Sequence, residues 1–193
     1  MASTAAAAAP TARGRVREAL QASGMQLTAA RGLENISVAD ILADAGVSRR
    51  TFYTQFANKH ELVASVINPA LRDGAQLLDD VARQPPAELL PGIAATYLRM
   101  WDQHGDALIA IAGLDKGIMP HVADGHRLFG KALQKVLEKA NENGLLRSAD
   151  ATLSFRVISR TAVPLLKIFA DAENGRTLYR DSMLALLQAT DDR

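Results

Sequence analysis

The 193-residue chain contains no cysteine. That excludes disulfides, thiolate nucleophiles and cysteine-based metal sites. Aromatic residues are scarce, at 5% of the chain with a single tryptophan. No apolar run approaches the ~18 residues needed to cross a bilayer, so the reading is a cytoplasmic protein with no membrane partner. Neither sign of charge dominates: 22 Lys and Arg stand against 21 Asp and Glu, a net charge of +1, and the chain is no generic polycation. Also missing are a glycine-rich phosphate loop, a paired metal-binding motif and a Ser-His-Asp signature. These are the marks by which enzymes usually announce themselves, and the expectation is a non-enzyme with no cofactor and no metal. His121 and His126 lie five apart and do not share a helix face. No strand-like alternation and no internal repeat occurs, so the fold class is all-α.

What is present is concentrated near residues 37–62. Ser37 and Asp40 have capping-box spacing, and Val38, Ile41 and Leu42 form one apolar stripe on a short helix. Gly46 ends that helix, because glycine enters the left-handed conformation without steric cost. Val47 plugs the turn and Ser48 caps a second short helix. There Phe52 and Phe56 share a buried face, which turns Arg50 and Thr54 outward, leaves Thr51 and Tyr53 on the flanks and puts Arg49 near the edge of the buried face. Asn58 and Glu61 form another capping box, opening a helix with Leu62, Val63, Val66 and Ile67. Three caps, a glycine turn and two aromatic anchors read together as a helix-turn-helix.

Charge is distributed to match. Residues 47–60 contain Arg49, Arg50 and Lys59 and no acid, and Arg13, Arg15 and Arg17 precede the first apolar run. Residues 1–68 hold seven basic and five acidic side chains, against fifteen and sixteen in the remainder. Cations at a helix N-terminus oppose the helix dipole. They make sense where an anion, phosphate above all, is to bind.

The segment from Gly32 to Leu62 resembles the DNA-binding domain of TetR-family transcriptional regulators. The likeness rests on Gly32, Ser37, Val38, Ile41, Ala43, Ala45, Gly46, Val47, Ser48, Phe52, Tyr53, Phe56, Lys59, Glu61 and Leu62, and extends over about residues 13–62. It implies a recognition helix at residues 48–56, with Arg49, Arg50, Thr51 and Thr54 facing base edges or nearby phosphates. Ser37, Ser48, Tyr53 and Lys59 would hold phosphates of a double-stranded DNA operator. It further implies a homodimer on a palindrome and a repressor released by a small effector. A helical adaptor for a protein partner is the alternative, and the basic pair Arg49 and Arg50 argues against it.

The organisation expected is a disordered or frayed tail at 1–10, a helix-turn-helix DNA-binding domain at 11–68, and a helical effector-binding and dimerisation domain at 69–193. In the tail the arginines follow the alanine run, the reverse of a signal peptide. Arg13 and Arg15 are candidates for an arm reaching the minor groove. Helices are expected at 87–104, 122–143, 151–170 and 177–188, with Gly144 closing the second. Pro69 and Pro164 fall inside helices and should kink or break them. Tyr97, Trp101, His104, Met119, Phe129, Phe155 and Ile158 are the candidates for a pocket suited to a hydrophobic or amphipathic ligand. Following the resemblance, Leu153, Val157, Leu165, Leu184 and Leu187 on the last two helices are the candidates for the dimer interface.

Overall fold

The computed structural model describes residues 11–112 and 117–189. The tail at 1–10 lies outside the described residues, as does part of the apolar stretch after residue 107. Eight α-helices follow in order: α1 Ala12–Arg31, α2 Val38–Ala45, α3 Arg49–Tyr53, α4 Lys59–Val81, α5 Leu89–Ala112, α6 Met119–Glu142, α7 Ala151–Phe169 and α8 Gly175–Leu187. Short 3₁₀ turns precede α2 and α5. An isolated antiparallel bridge, Leu146 to Gln188, pins the α6–α7 loop to the segment after α8.

The start of each short helix has a local cause. Ser37 Oγ accepts the Asp40 amide at 3.1 Å, while the Asp40 carboxylate accepts the Ser37 amide at 2.7 Å. Gly46, at φ 62°, closes α2 in the left-handed region, where a β-carbon would be strained. Ser48 Oγ accepts the Thr51 amide and starts α3, and Asn58 Oδ1 accepts the Glu61 amide and starts α4. Helix α1 is tied to this unit by side-chain bonds, among them Arg17 Nη1 donating to the Gln55 carbonyl at 3.4 Å. Ser23 Oγ donates to the Ile41 carbonyl at 3.2 Å, and Gln21 Nε2 donates to Ser65 Oγ at 2.8 Å.

Two cores result, and α4 belongs to both. Its first half supplies Leu62, Val63, Ile67 and Leu71 to a core shared with Leu20, Ile41, Phe52 and Phe56. Its second half supplies Ala75 and Leu78, and its cap residue Ala82, to a core made with α5, α6, α7 and α8. The end of α5 and the start of α6 reach back into the first core through Ala107, Ala110, Ile118 and Val122. The proposed division at residue 68 therefore falls inside a continuous helix, with no linker. In α6 the buried positions Val122, Gly125, Leu133, Val136, Leu137 and Ala140 recur at helical spacing; in α8 Gly175, Tyr179, Met183 and Leu187 recur every fourth residue.

The expected proline breaks are not found: α4 runs through Pro69 and α7 through Pro164. Each ring is on an exposed face, and each helix is held on both sides by buried neighbours, Ile67 and Ala70 in one and Ala162 and Leu166 in the other. One backbone bond is lost at each site, and the packing outweighs it. The distorted helix is α5, where His104 has φ −143° and ψ 33°, so the helix expected to end at residue 104 bends there and continues. The helix at 122–143 starts three residues earlier than expected, and Gly144, at φ 68°, follows its cap residue Asn143.

Candidate nucleic-acid interface and effector cavity

The α3 surface is built on its buried side. Phe52 is fully buried and Phe56 nearly so, with ring centroids 5.9 Å apart. Tyr53 packs edge-on against Phe52 at 5.3 Å yet stays 53% exposed. From α1 the Arg17 guanidinium sits 4.3 Å from the Phe56 ring centroid, a cation–π contact. On the outer side Arg49, Arg50, Tyr53 and Thr54 are exposed, and Thr51 is half-buried. The side chains of Arg49, Arg50 and Tyr53 make no hydrogen bond or ion pair among the described residues. They are therefore free to meet a polyanion.

The remaining candidates are already committed to other contacts. Ser37 Oγ donates to Asp40 Oδ2 at 2.5 Å. That bond, with the Ser37 amide, holds the Asp40 carboxyl below the usual carboxylate range. Ser48 and Thr51 share a hydroxyl–hydroxyl bond of 2.8 Å, and Thr54 Oγ1 donates to the Thr51 carbonyl at 2.7 Å. Lys59, expected at a phosphate, instead donates Nζ to the carbonyls of Leu33 and Ile36, both at 2.8 Å. It staples the loop before α2 to the start of α4, and only one of its three donors remains. Arg13 and Arg15 lie in the first turn of α1, capped by Thr11, so their backbone is helical and not an extended arm.

Between α4, α5, α6 and α7 lies a cavity of about 530 Å³. It is lined by four of the seven pocket candidates: Tyr97, Phe129, Phe155 and Ile158. The aromatic pair Tyr97 and Phe129 meets edge-on, centroids 5.8 Å apart. Burial pushes the Tyr97 phenol above its ordinary pKa, so it stays protonated near neutrality. The rest of the wall is largely aliphatic, including Leu71, Met100, Leu108 and Leu133, with His126, Ser159 and Arg160 as its other polar residues. A β-carbon added at Gly74 of α4 would lie 2.5 Å from Met100 Sδ and 2.8 Å from the Phe129 ring. Two wall residues therefore rest directly on the α4 backbone.

The other three pocket candidates are elsewhere. Trp101 lines a second cavity of about 490 Å³ with Phe169 and Tyr179, edged by the Arg176–Asp102 ion pair at 2.8 Å. The Tyr179 hydroxyl is buried without a hydrogen-bond partner among the described residues; burial, and after it the nearby Tyr97 phenol, raise its pKa. His104 bonds Asp73 at 3.0 Å across α4 and α5. Met119 is exposed at the start of α6. The His121 ring stacks on His60 with centroids 6.0 Å apart. No group of three or more acidic or histidine side chains is placed for a metal among the described residues. No helix there is long and apolar enough to cross a membrane.

Of the dimer candidates, Leu187 is 2% exposed and belongs to the monomer core, since it continues the every-fourth-residue stripe of α8. Leu165 and Leu184 pack partly on that core. Leu153 is exposed and Val157 half-buried. Leu178 and Leu186 of α8 are exposed as well, and the exposed apolar residue that sequence reading passed over is Ile168, at 69%. Spacing could have found Ile168: Leu153, Val157, Thr161, Pro164 and Ile168 lie on one flank of α7.

Residues 20–66 match the family described as bacterial regulatory proteins, tetR family. The chain is similar to an uncharacterized HTH-type transcriptional regulator, YerO of Bacillus subtilis, at 24% identity over 136 residues, covering 68% of this chain and 46% of that protein. It is 32% identical over 70 residues to the HTH-type transcriptional regulator EthR of Mycolicibacterium smegmatis, covering 36% of this chain and 32% of that one. The matches thus span less than half the length of either relative. Among solved structures, the ketosteroid transcriptional regulator KstR2 of Mycobacterium tuberculosis shares the fold at TM-score 0.74 and 20% identity, covering 90% of this chain and 95% of that one. The family and both relatives are transcriptional regulators.

Proposed function

We propose that this chain, which belongs to the tetR family of bacterial regulatory proteins, is a homodimeric transcriptional regulator that reads a palindromic operator with α3 and is released from it by a small effector. The observation that carries the reading is the α3 surface. Arg49, Arg50 and Tyr53 project from a helix fixed by Phe52 and Phe56, and none of the three side chains makes a hydrogen bond or ion pair among the described residues. Arginine can pair with guanine through two hydrogen bonds in the major groove, while Tyr53 and Ser48 are the candidates for phosphates. One short helix reads few base pairs, and a twofold copy doubles the readout. The exposed flank of α7 and the exposed Leu178 and Leu186 of α8 are the surfaces for that copy.

The cavity supports the regulatory half. Its wall includes Leu71 of α4, and Met100 and Phe129 bear on Gly74 of the same helix. An occupant that shifts those side chains shifts α4, and α4 carries the core on which α3 sits. Coupling of this kind is reciprocal, so operator binding weakens the effector by the same factor. The direct test is a fluorescence anisotropy titration of labelled duplex against salt. With six to ten phosphates neutralised per dimer, log affinity falls against log salt with a slope of roughly −5 to −9. A flat response would remove DNA as the partner and leave a helical adaptor for proteins.

A further inference from the structure

The cavity between α4, α5, α6 and α7 has one-sided electrostatics. No acidic residue lines it, whereas Arg160 and His126 do. Helix α7, which forms one wall, contains no Asp or Glu, and its charged residues are Arg156, Arg160 and Lys167. All three are exposed and have no hydrogen-bond or ion-pair partner among the described residues. On α6 the acid nearest the rim in sequence, Asp124, is already paired with Arg127 at 2.6 Å. Behind the rim the wall is hydrocarbon: Leu71, Met100, Leu108, Ile111, Leu133 and Ile158.

We infer that the effector is an anionic amphipath, a carboxylate or similar acid on an apolar body, with its head at Arg160 and His126 and its body among these side chains. The inference rests on the effector reading above and specifies its chemistry. A competing acceptor exists, because Pro164 has no N–H for the Arg160 carbonyl and that carbonyl favours a neutral hydroxyl head. Charge decides between the two. A charge-assisted hydrogen bond is about twice as strong as a neutral one, and a neutral head leaves the guanidinium unmatched. A cationic head would be repelled.

The test is calorimetric titration of the full chain, at low salt and below micelle formation, with decanoate, decanol and decyltrimethylammonium. These are one apolar body with three heads. Decanoate is expected to bind about tenfold more tightly than decanol, with the ammonium weakest. Arg160→Gln brings decanoate to within about twofold of decanol and leaves decanol unchanged, whereas Lys167→Gln, the same net charge change away from the cavity, leaves the ratio intact. Decanol or the ammonium binding as tightly as decanoate overturns the inference, as does a preference that survives Arg160→Gln. Ile158→Trp, or Val163→Phe should that variant not fold, fills the cavity and is expected to abolish all three. If the filled cavity loses decanol binding but the wild type shows no anion preference, the effector cavity stands and its anionic specificity falls. If no probe binds, or filling changes nothing, the cavity reading fails and the inference fails with it.

Discussion

Residues 11–71 and the helical body beyond them are held by different kinds of contact. In the first region two short helices and the start of α4 are fixed by caps reaching three residues, a left-handed glycine and aromatic neighbours on a single turn. Its polar side chains are mostly spent on the backbone: Ser37, Ser48, Thr54 and Lys59 all bond within the unit. What remains unspent is the outward cationic face of α3. In the body, helices of up to 24 residues are held by apolar stripes meeting across the bundle, and the informative feature is the space they leave open. The comparison separates two ways of building a site, by releasing a few charged groups from a rigid surface or by underfilling a core. Helix α4 joins the two because its halves belong to different cores.

The comparison breaks most severely at the aromatic anchors. Phe56→Ala is expected to cost roughly 3–5 kcal/mol and to abolish duplex binding, with the loss read by denaturant melts; a fully folded variant would show that the α3 platform does not depend on its core. Arg50→Ala sharpens the contrast, since it removes a released charge and no packing. Affinity for a preferred duplex should fall by about 1–3 kcal/mol with the melting temperature unchanged, and an equal loss of stability would mean that the side chain is structural. In the body the corresponding probe is Tyr179→Phe. The hydroxyl it deletes is buried without a partner among the described residues, so the variant should be neutral or more stable by about 1 kcal/mol, and a clear destabilisation would reveal a hidden partner.

The smallest effect concerns pH. The Asp40 carboxyl titrates below its ordinary value because Ser37 donates to its charged form. A depressed folded pKa stabilises above the unfolded value and loses that contribution as pH falls through the folded one. Asp40→Asn should therefore soften the acid limb of the melting profile below about pH 4 and leave the neutral region parallel. An unchanged acid limb would place the acid sensitivity elsewhere.

The same contrast explains what the sequence made legible. Ser37, Gly46, Ser48, Phe52 and Asn58 act on neighbours a few residues away, so their roles could be read from spacing, and the structure places all of them so. The bonds of Lys59 to the Leu33 and Ile36 carbonyls were not legible, because those partners are distant in sequence. Helix content in the body was legible from apolar spacing, but the course of α4 and α7 through their prolines was not, because burial against other helices decides it. The pocket was sought among aromatics, yet Leu71, Met100 and Leu133 line it, and nothing in a leucine's sequence context says whether its neighbour is a side chain or a void. That Leu187 lies in the monomer core, and that Trp101 lines a different cavity, were not legible for the same reason.

The central claim is that a dimer reads DNA through the free face of α3. In vitro selection from randomised duplex DNA, run with the wild type and with Arg49→Ala/Arg50→Ala, tests it most directly. The account predicts a twofold-symmetric sequence enriched by the wild type and lost or degenerate with the variant. Absence of any enrichment by the wild type, or the same sequence selected by both, would contradict it.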